Sequence, residues 1–303
     1  MAVLVLGISF FIKYAIDKDW IHEAGRVITG LVTGFVLIGL GHRFRNRYRS
    51  FSSVLAGGGL AVLYFSIAFA FHQYHLIGQT AALVFMVLVT SFAVLLSLFY
   101  SRQELAILAT IGGFITPFLV NTGQDNYIAL FIYLCIRNAG LTALSWFKRW
   151  PAINSISLFF TTIIFGGWLV NRMFWDSSVS FPAQNAFIFA ILFYLLFIAM
   201  NMINTLRVKG RFTTFDFIIP LSVNFLFYIA GIALLGYYDN RHLDGIFTLS
   251  LGIFNLLLTS VFYGNKEADN NFIALLTGLS LTFISLTAPV LPIFHPVVKL
   301  LLL

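Results

Sequence analysis

Apolar runs of sixteen to twenty-four residues, separated by short polar turns, follow one another along almost the whole chain. At a rise of about 1.5 Å per residue, most are long enough to cross the roughly 30 Å hydrocarbon layer of a bilayer as helices. Ten such spans are predicted at Ala24–Gly41, Ser53–Phe71, Gln79–Tyr100, Leu105–Val120, Tyr127–Trp146, Ala152–Val170, Ala183–Leu206, Phe215–Tyr237, Gly245–Tyr263 and Phe272–Ala288. Ahead of them, Ala2–Ile12 is apolar but covers only about 17 Å, and no basic leader or small-residue cleavage site marks it as a signal peptide. It reads as the remainder of a longer helix, and Pro289–Leu303 reads as the start of another, so truncation at both ends is expected. The expected fold is an all-α polytopic membrane bundle of about eleven spans, one transmembrane domain over residues 1–303 without a soluble domain. Backbone polar groups in lipid must be satisfied within each segment, which helices do. The ten-residue alternation of a membrane β-barrel is absent.

Composition agrees, since 60% of the residues are hydrophobic, 10% are charged and 35 are Phe. The net charge of +7 does not point to nucleic acid, because the basic residues sit in turns between spans. Alternate turns carry eleven and six Lys or Arg. The richer set includes Arg43, Arg45, Arg47 and Arg49, Lys148 and Arg149, and Arg207, Lys209 and Arg211. The positive-inside rule makes that face cytoplasmic and the amino end with it. Trp146 and Trp150 flank one basic turn, while Trp168 and Trp175 are expected as interface anchors on the opposite face. Gly pairs at Gly57-Gly58, Gly112-Gly113 and Gly166-Gly167 recur at nearly equal intervals, suggesting a two-helix repeat.

Local signatures carry a resemblance. FFIKYAIDKDWI, GRVITGLVTG, SSVLAGGGLAVLYFSIAFAFHQYHLI, LAILATIGGFITPFLVNTG and ALFIYLCIRNAGLTALSWFKRW occur in this order. Together they resemble the bacterial multi-pass membrane proteins grouped as domain of unknown function 2339, from about residue 7 to 168. The resemblance implies a bacterial cytoplasmic membrane and further membrane segments at both ends. It implies no reaction. Arg137 departs from the family pattern, which has an aliphatic residue before this Asn.

Arg137 and Asn138 stand at the centre of their span, and Tyr64, Asn224 and Asn255 lie near the middle of theirs. All eleven acidic residues fall in turns or at span ends; the nearest in sequence to Arg137 is Asp125, about 18 Å along a helix. A midplane guanidinium costs about 2.5–3.5 kcal/mol on insertion scales, so it should face protein or water. Two readings follow. These residues bond neighbouring helices together, or they bind a small anionic or lipid-phosphate ligand, which suits a planar guanidinium. The first makes a non-catalytic envelope scaffold of unidentified protein partners; the second makes a transporter-like or lipid-handling protein.

The glycine motifs have the same double reading. Gly57, Gly58 and Gly59, and Gly112 and Gly113 with Pro117, either break helices to expose ion-binding backbone or let helices approach closely. His72 and His75 lack a neighbouring Asp, Glu or Cys to complete a metal site. Asp17 and Asp19 would serve a lipid-linked sugar transferase, although solvated carboxylates in a short outer turn are the commoner case. Cys135 is the single cysteine, which excludes an internal disulfide. No cofactor motif, HExxH, GxSxG or Walker loop is present, so hydrolytic enzyme chemistry has no support in the chain.

Overall fold

A computed structural model describes residues 22–101, 103–120, 126–148, 150–175, 181–206, 214–237, 241–263 and 270–290. The segments predicted at Ala2–Ile12 and after Val290 lie outside the described residues, as do Asp17 and Asp19. Every predicted span from Ala24 onward forms a helix. They are α1 (Glu23–Phe44), α2 (Arg49–His72), α3 (Gln79–Tyr100), α4 (Gln103–Leu119), α5 (Tyr127–Phe147), α6 (Pro151–Phe174), α7 (Ala183–Leu206), α8 (Thr214–Tyr237), α9 (Arg241–Tyr263) and α10 (Asn270–Val290). Among the described residues, nine of these helices are long and apolar enough to cross a membrane; α4, with 17 residues, is shorter. Large apolar side chains such as Phe99 (77% exposed) and Val261 (65%) cover the outer faces. Such a surface would be a severe aggregation liability in water and is ordinary against acyl chains.

The chain divides into two compact units, residues 1–126 and 127–303. In the first, α1 and α2 form an antiparallel hairpin whose backbones meet through small residues. A methyl group added at Gly34 would sit 2.7 Å from Leu63 Cδ2 and 3.0 Å from the Gly59 carbonyl. One added at Gly59 would lie 2.6 Å from the Gly34 carbonyl, so neither helix tolerates a side chain at this crossing. Further along, Ser52 Oγ donates to the Gly41 carbonyl at 2.6 Å. Without a hydrophobic force between helices in lipid, such close packing and interhelical hydrogen bonding supply the association.

Helices α3 and α4 complete the unit around Ala56, Leu60, Leu63, Ala93, Leu96, Leu105 and Ala109. Helix α4 runs through Gly112-Gly113 without interruption and carries Pro117 in its last turn. The face of Gly112 is occupied by the Tyr64 ring, which an added Cβ would approach to 2.7 Å. Gly57 likewise faces Leu108, with 2.5 Å between an added Cβ and Leu108 Cδ1, whereas Gly58 meets open space. Gly57 and Gly112 are therefore packing positions, as Gly34 and Gly59 are, and Gly58 is not.

In the second unit, α5 packs mainly on α7 and only slightly on its sequence neighbour α6. Helix α8 packs on α7 and α6, and α9 and α10 form the closest pair. That pair repeats the device of the first hairpin: Ser280 Oγ donates to the Gly252 carbonyl at 2.9 Å, and the Ile284 backbone nitrogen lies 3.1 Å from a Cβ added at Gly252.

The α1–α2 crossing gives a direct prediction. Gly34→Val should destabilise the protein by about 1–3 kcal/mol through overpacking, read as a lower midpoint of thermal unfolding in detergent. Gly39→Ala, on the same helix but facing open space, should leave that midpoint unchanged or raise it.

Candidate midplane site in the second unit

Helix α5 is an uninterrupted apolar helix because its polar residues are few and its backbone bonds are internal. Arg137 is the eleventh of its 21 residues, about 15 Å from either end. The residue is half-buried, and its Nε and Nη1 atoms lie within the protein. Asn138, next to it, is 1% exposed and points between helices. Its Nδ2 donates to Thr161 Oγ1 of α6 at 3.0 Å. Its Oδ1 is buried and has no hydrogen-bond partner among the described residues.

A second polar group ties α7, α8 and α9 together at similar depth. Asn224 and Asn255 are both fully buried. Asn255 Nδ2 donates to Asn224 Oδ1 at 2.8 Å, and Tyr194 OH donates to the same oxygen at 3.0 Å. Asn224 Nδ2 in turn donates to the Pro220 carbonyl, and Asn255 Nδ2 also reaches the Leu251 carbonyl. Asn255 Oδ1 has no hydrogen-bond partner among the described residues. In a low-dielectric interior, this mutual satisfaction holds three helices in one register.

The two groups share a cavity. A space of about 340 Å³ lies between α6, α7 and α8, with Thr161, Phe165, Gly166, Phe193, Tyr194 and Phe227 among its lining residues. Its walls are apolar apart from a few hydroxyls. Thr161 and Tyr194, the hydroxyls that contact the buried amides, both stand on it. Val170, Phe174 and Ile229 also line it and are themselves exposed, so the cavity meets the lipid-facing surface. Arg137 does not border this space; it connects to it through Asn138 and Thr161.

Above the cavity, aromatic rings pack edge to face. Phe131 touches Phe165 at 5.2 Å, Trp168 at 4.9 Å and Phe189 at 5.2 Å between ring centroids. Trp168 also lies 5.0 Å from Tyr127. Trp168, expected as an interface anchor, is half-buried, with Tyr127, Phe131, Phe165 and Phe181 around its ring. Trp175, 75% exposed at the end of α6, has the exposure of an anchor.

Of the midplane residues singled out in the sequence, Asn224 and Asn255 come into direct contact, and Asn138 bonds to Thr161 of the cavity wall. Tyr64 belongs to the first unit, where its OH pairs with Thr90 Oγ1 at 2.6 Å and its ring covers Gly112. Thr161 and Tyr194 escaped the sequence reading. Each is a hydroxyl near the centre of an apolar span, but such hydroxyls are common there and nothing in the sequence sets these two apart. Among the described residues, no three His, Cys, Asp or Glu side chains cluster to hold a metal. His72 is exposed and packs on Phe71 at 5.0 Å, and His75 turns the chain with φ 48°.

No curated protein and no solved structure matches the chain. A family model described as predicted membrane protein (DUF2339) matches residues 1–292, extending the resemblance seen over residues 7–168 across nearly all of the sequence. The chain is therefore a member of that family of multi-pass membrane proteins.

Proposed function

We propose that this protein handles a lipid with an anionic headgroup, taking a hydrocarbon chain into the cavity between α6, α7 and α8 while the Arg137–Asn138 spot receives negative charge at mid-depth. One observation carries this reading: an apolar space open to lipid is linked through Thr161 to a buried amide beside a midplane guanidinium. An ionic headgroup crossing a bilayer meets its highest barrier in the hydrocarbon centre, where a fixed positive charge lowers the desolvation penalty. A guanidinium offers five donors in a planar fork suited to phosphate or carboxylate. Asn224, Asn255 and Tyr194 form the back wall that holds α7 to α8 and α9, and Tyr64 performs the same service in the first unit. Gly57, Gly59 and Gly112 act in packing on this reading, and Gly58 and Gly113 accompany them in the same helices; Pro117 ends α4.

A second reading has its own support. The hydrogen bonds among Asn224, Asn255 and Tyr194 are largely satisfied within the protein, which suits a rigid, non-catalytic envelope scaffold. The third, a sugar transferase using Asp17 and Asp19, depends on residues outside those described. For location, the family resemblance favours a bacterial cytoplasmic membrane, and the eleven-to-six bias of Lys and Arg favours an amino end inside it.

Two experiments test these readings. Gly166 lines the cavity and faces open space, so Gly166→Leu should fill it without a clash. In proteoliposomes carrying a fluorescent anionic phospholipid, the wild-type chain should speed its transfer between leaflets; Gly166→Leu and Arg137→Leu should each slow that transfer at least tenfold, about 1.4 kcal/mol. Transfer no faster than in protein-free vesicles would leave the scaffold reading. For orientation, Cys135→Ala chains bearing Asn46→Cys or Gln73→Cys should react with an impermeant thiol reagent on opposite sides, Gln73→Cys from outside intact cells and Asn46→Cys only after lysis. The reverse pattern would invert the assigned topology.

A further inference from the structure

The turn between α1 and α2 plays no part in the cavity of the second unit. We propose that this turn is a binding site for the phosphate-bearing headgroup of an anionic phospholipid. Arg43, Arg45 and Arg47 fall within five residues and are all exposed. Among the described residues of this unit, the carboxylates are Glu23, at the far end of α1, and Glu104, in the first turn of α4. The turn therefore carries a surplus of positive charge.

A second observation concerns backbone. Helix α2 has 24 residues, and its N-cap, Tyr48, makes no side-chain capping bond. The first helical bond of this segment runs from Ser52 N to the Tyr48 carbonyl, so the amino end of α2 lies at the turn. The positive end of the helix dipole thus lies at the same turn as the arginines, and both favour phosphate oxygens there.

The occupant is a lipid rather than free phosphate for reasons of depth and surface. Helices of 22 and 24 residues extend about 33 and 36 Å, so the turn between them stands at headgroup level. Tyr48, Phe51 and Val54 are 53%, 57% and 72% exposed directly beside it, an apolar flank for the glycerol and upper acyl chain. Arg47 lies over the Tyr48 ring, its guanidinium carbon 5.7 Å from the centroid. On the other side, His42 Nδ1 and Tyr100 OH meet at 3.1 Å, fixing the end of α3 against α1. The site is held from two helices before any lipid arrives.

The test uses the full chain in a neutral detergent, with bound lipid counted by native mass spectrometry. Phosphatidylglycerol should be retained in preference to phosphatidylcholine, and raising the salt should erase the preference. The variant R43Q/R45Q/R47Q should bind phosphatidylglycerol at least about tenfold more weakly with phosphatidylcholine binding unchanged, while R43K/R45K/R47K should keep most of the preference. Retention in the glutamine variant equal to wild type, or no discrimination between the two lipids by the wild-type chain, would overturn the proposal. Thermal stabilisation by inorganic phosphate equal to that by phosphatidylglycerol would overturn it in favour of a free anion. Should the glutamine variant not fold, the salt response of the wild-type chain decides, a salt-independent preference counting against the site. The preference should also persist in Gly166→Leu, whose cavity is filled; its loss there would assign the lipid to the second unit instead.

Discussion

Inside a bilayer no water is available to a polar group, and this single constraint organises the molecule. It makes the backbone helical wherever the chain crosses, because only i to i−4 bonds satisfy every amide within one segment. It acts again on side chains at mid-depth. Asn138, Asn224 and Asn255 are each at most 1% exposed, and each is joined to a neighbouring helix by a hydrogen bond. Many other hydroxyls in the helices turn back on their own carbonyls, as Thr142 does to Asn138 and Thr259 to Asn255. The residues that reach across a helix boundary are thus a small set, and they identify which helices are fastened to which.

Fastening by polar contact and fastening by close approach divide the labour between regions. The α1–α2 and α9–α10 hairpins rely on glycines and on a serine bonded to a glycine carbonyl across the interface. Around α5 to α8, many of the contacts are between aromatic rings, and a space remains between α6, α7 and α8, lined by Phe165, Phe193 and Phe227 together with Gly166. Large aromatic side chains are stiff and pack edge to face, so they leave gaps that flexible aliphatic chains would close. Small residues contribute as well, since Gly166, Ala190, Ala230 and Ala233 stand on the same cavity.

Much of this was legible in the chain. Length and hydropathy locate every described helix, with ends that shift by only a few residues, since the transition from apolar run to charged turn is abrupt. The buried asparagines were legible too, because an amide in the centre of an apolar span has few places to go. Three things were not. Helix pairing is invisible to hydropathy, so the partnership of α5 with α7 rather than α6 could not be read. The ring cluster around Trp168 was hidden too, because Tyr127, Phe131, Phe165 and Phe181 are spread over α5, α6 and the turn before α7. Thr161 and Tyr194 look like common membrane residues until the amides they serve are seen beside them.

The skipped pairing of α5 and α7 bears on how the protein is made. Synthesis runs from the amino end, so α5 leaves the ribosome one whole span ahead of the helix that buries its inner face. Until α7 arrives, a segment carrying a guanidinium at its centre must be sheltered by the insertion machinery or leaned against α6 through the Asn138–Thr161 bond. The α5–α6 contact, made by that bond, by Ser145 on Asn154 and by Tyr127 and Phe131 against Phe165 and Trp168, is the one the chain itself offers α5 before α7 is made.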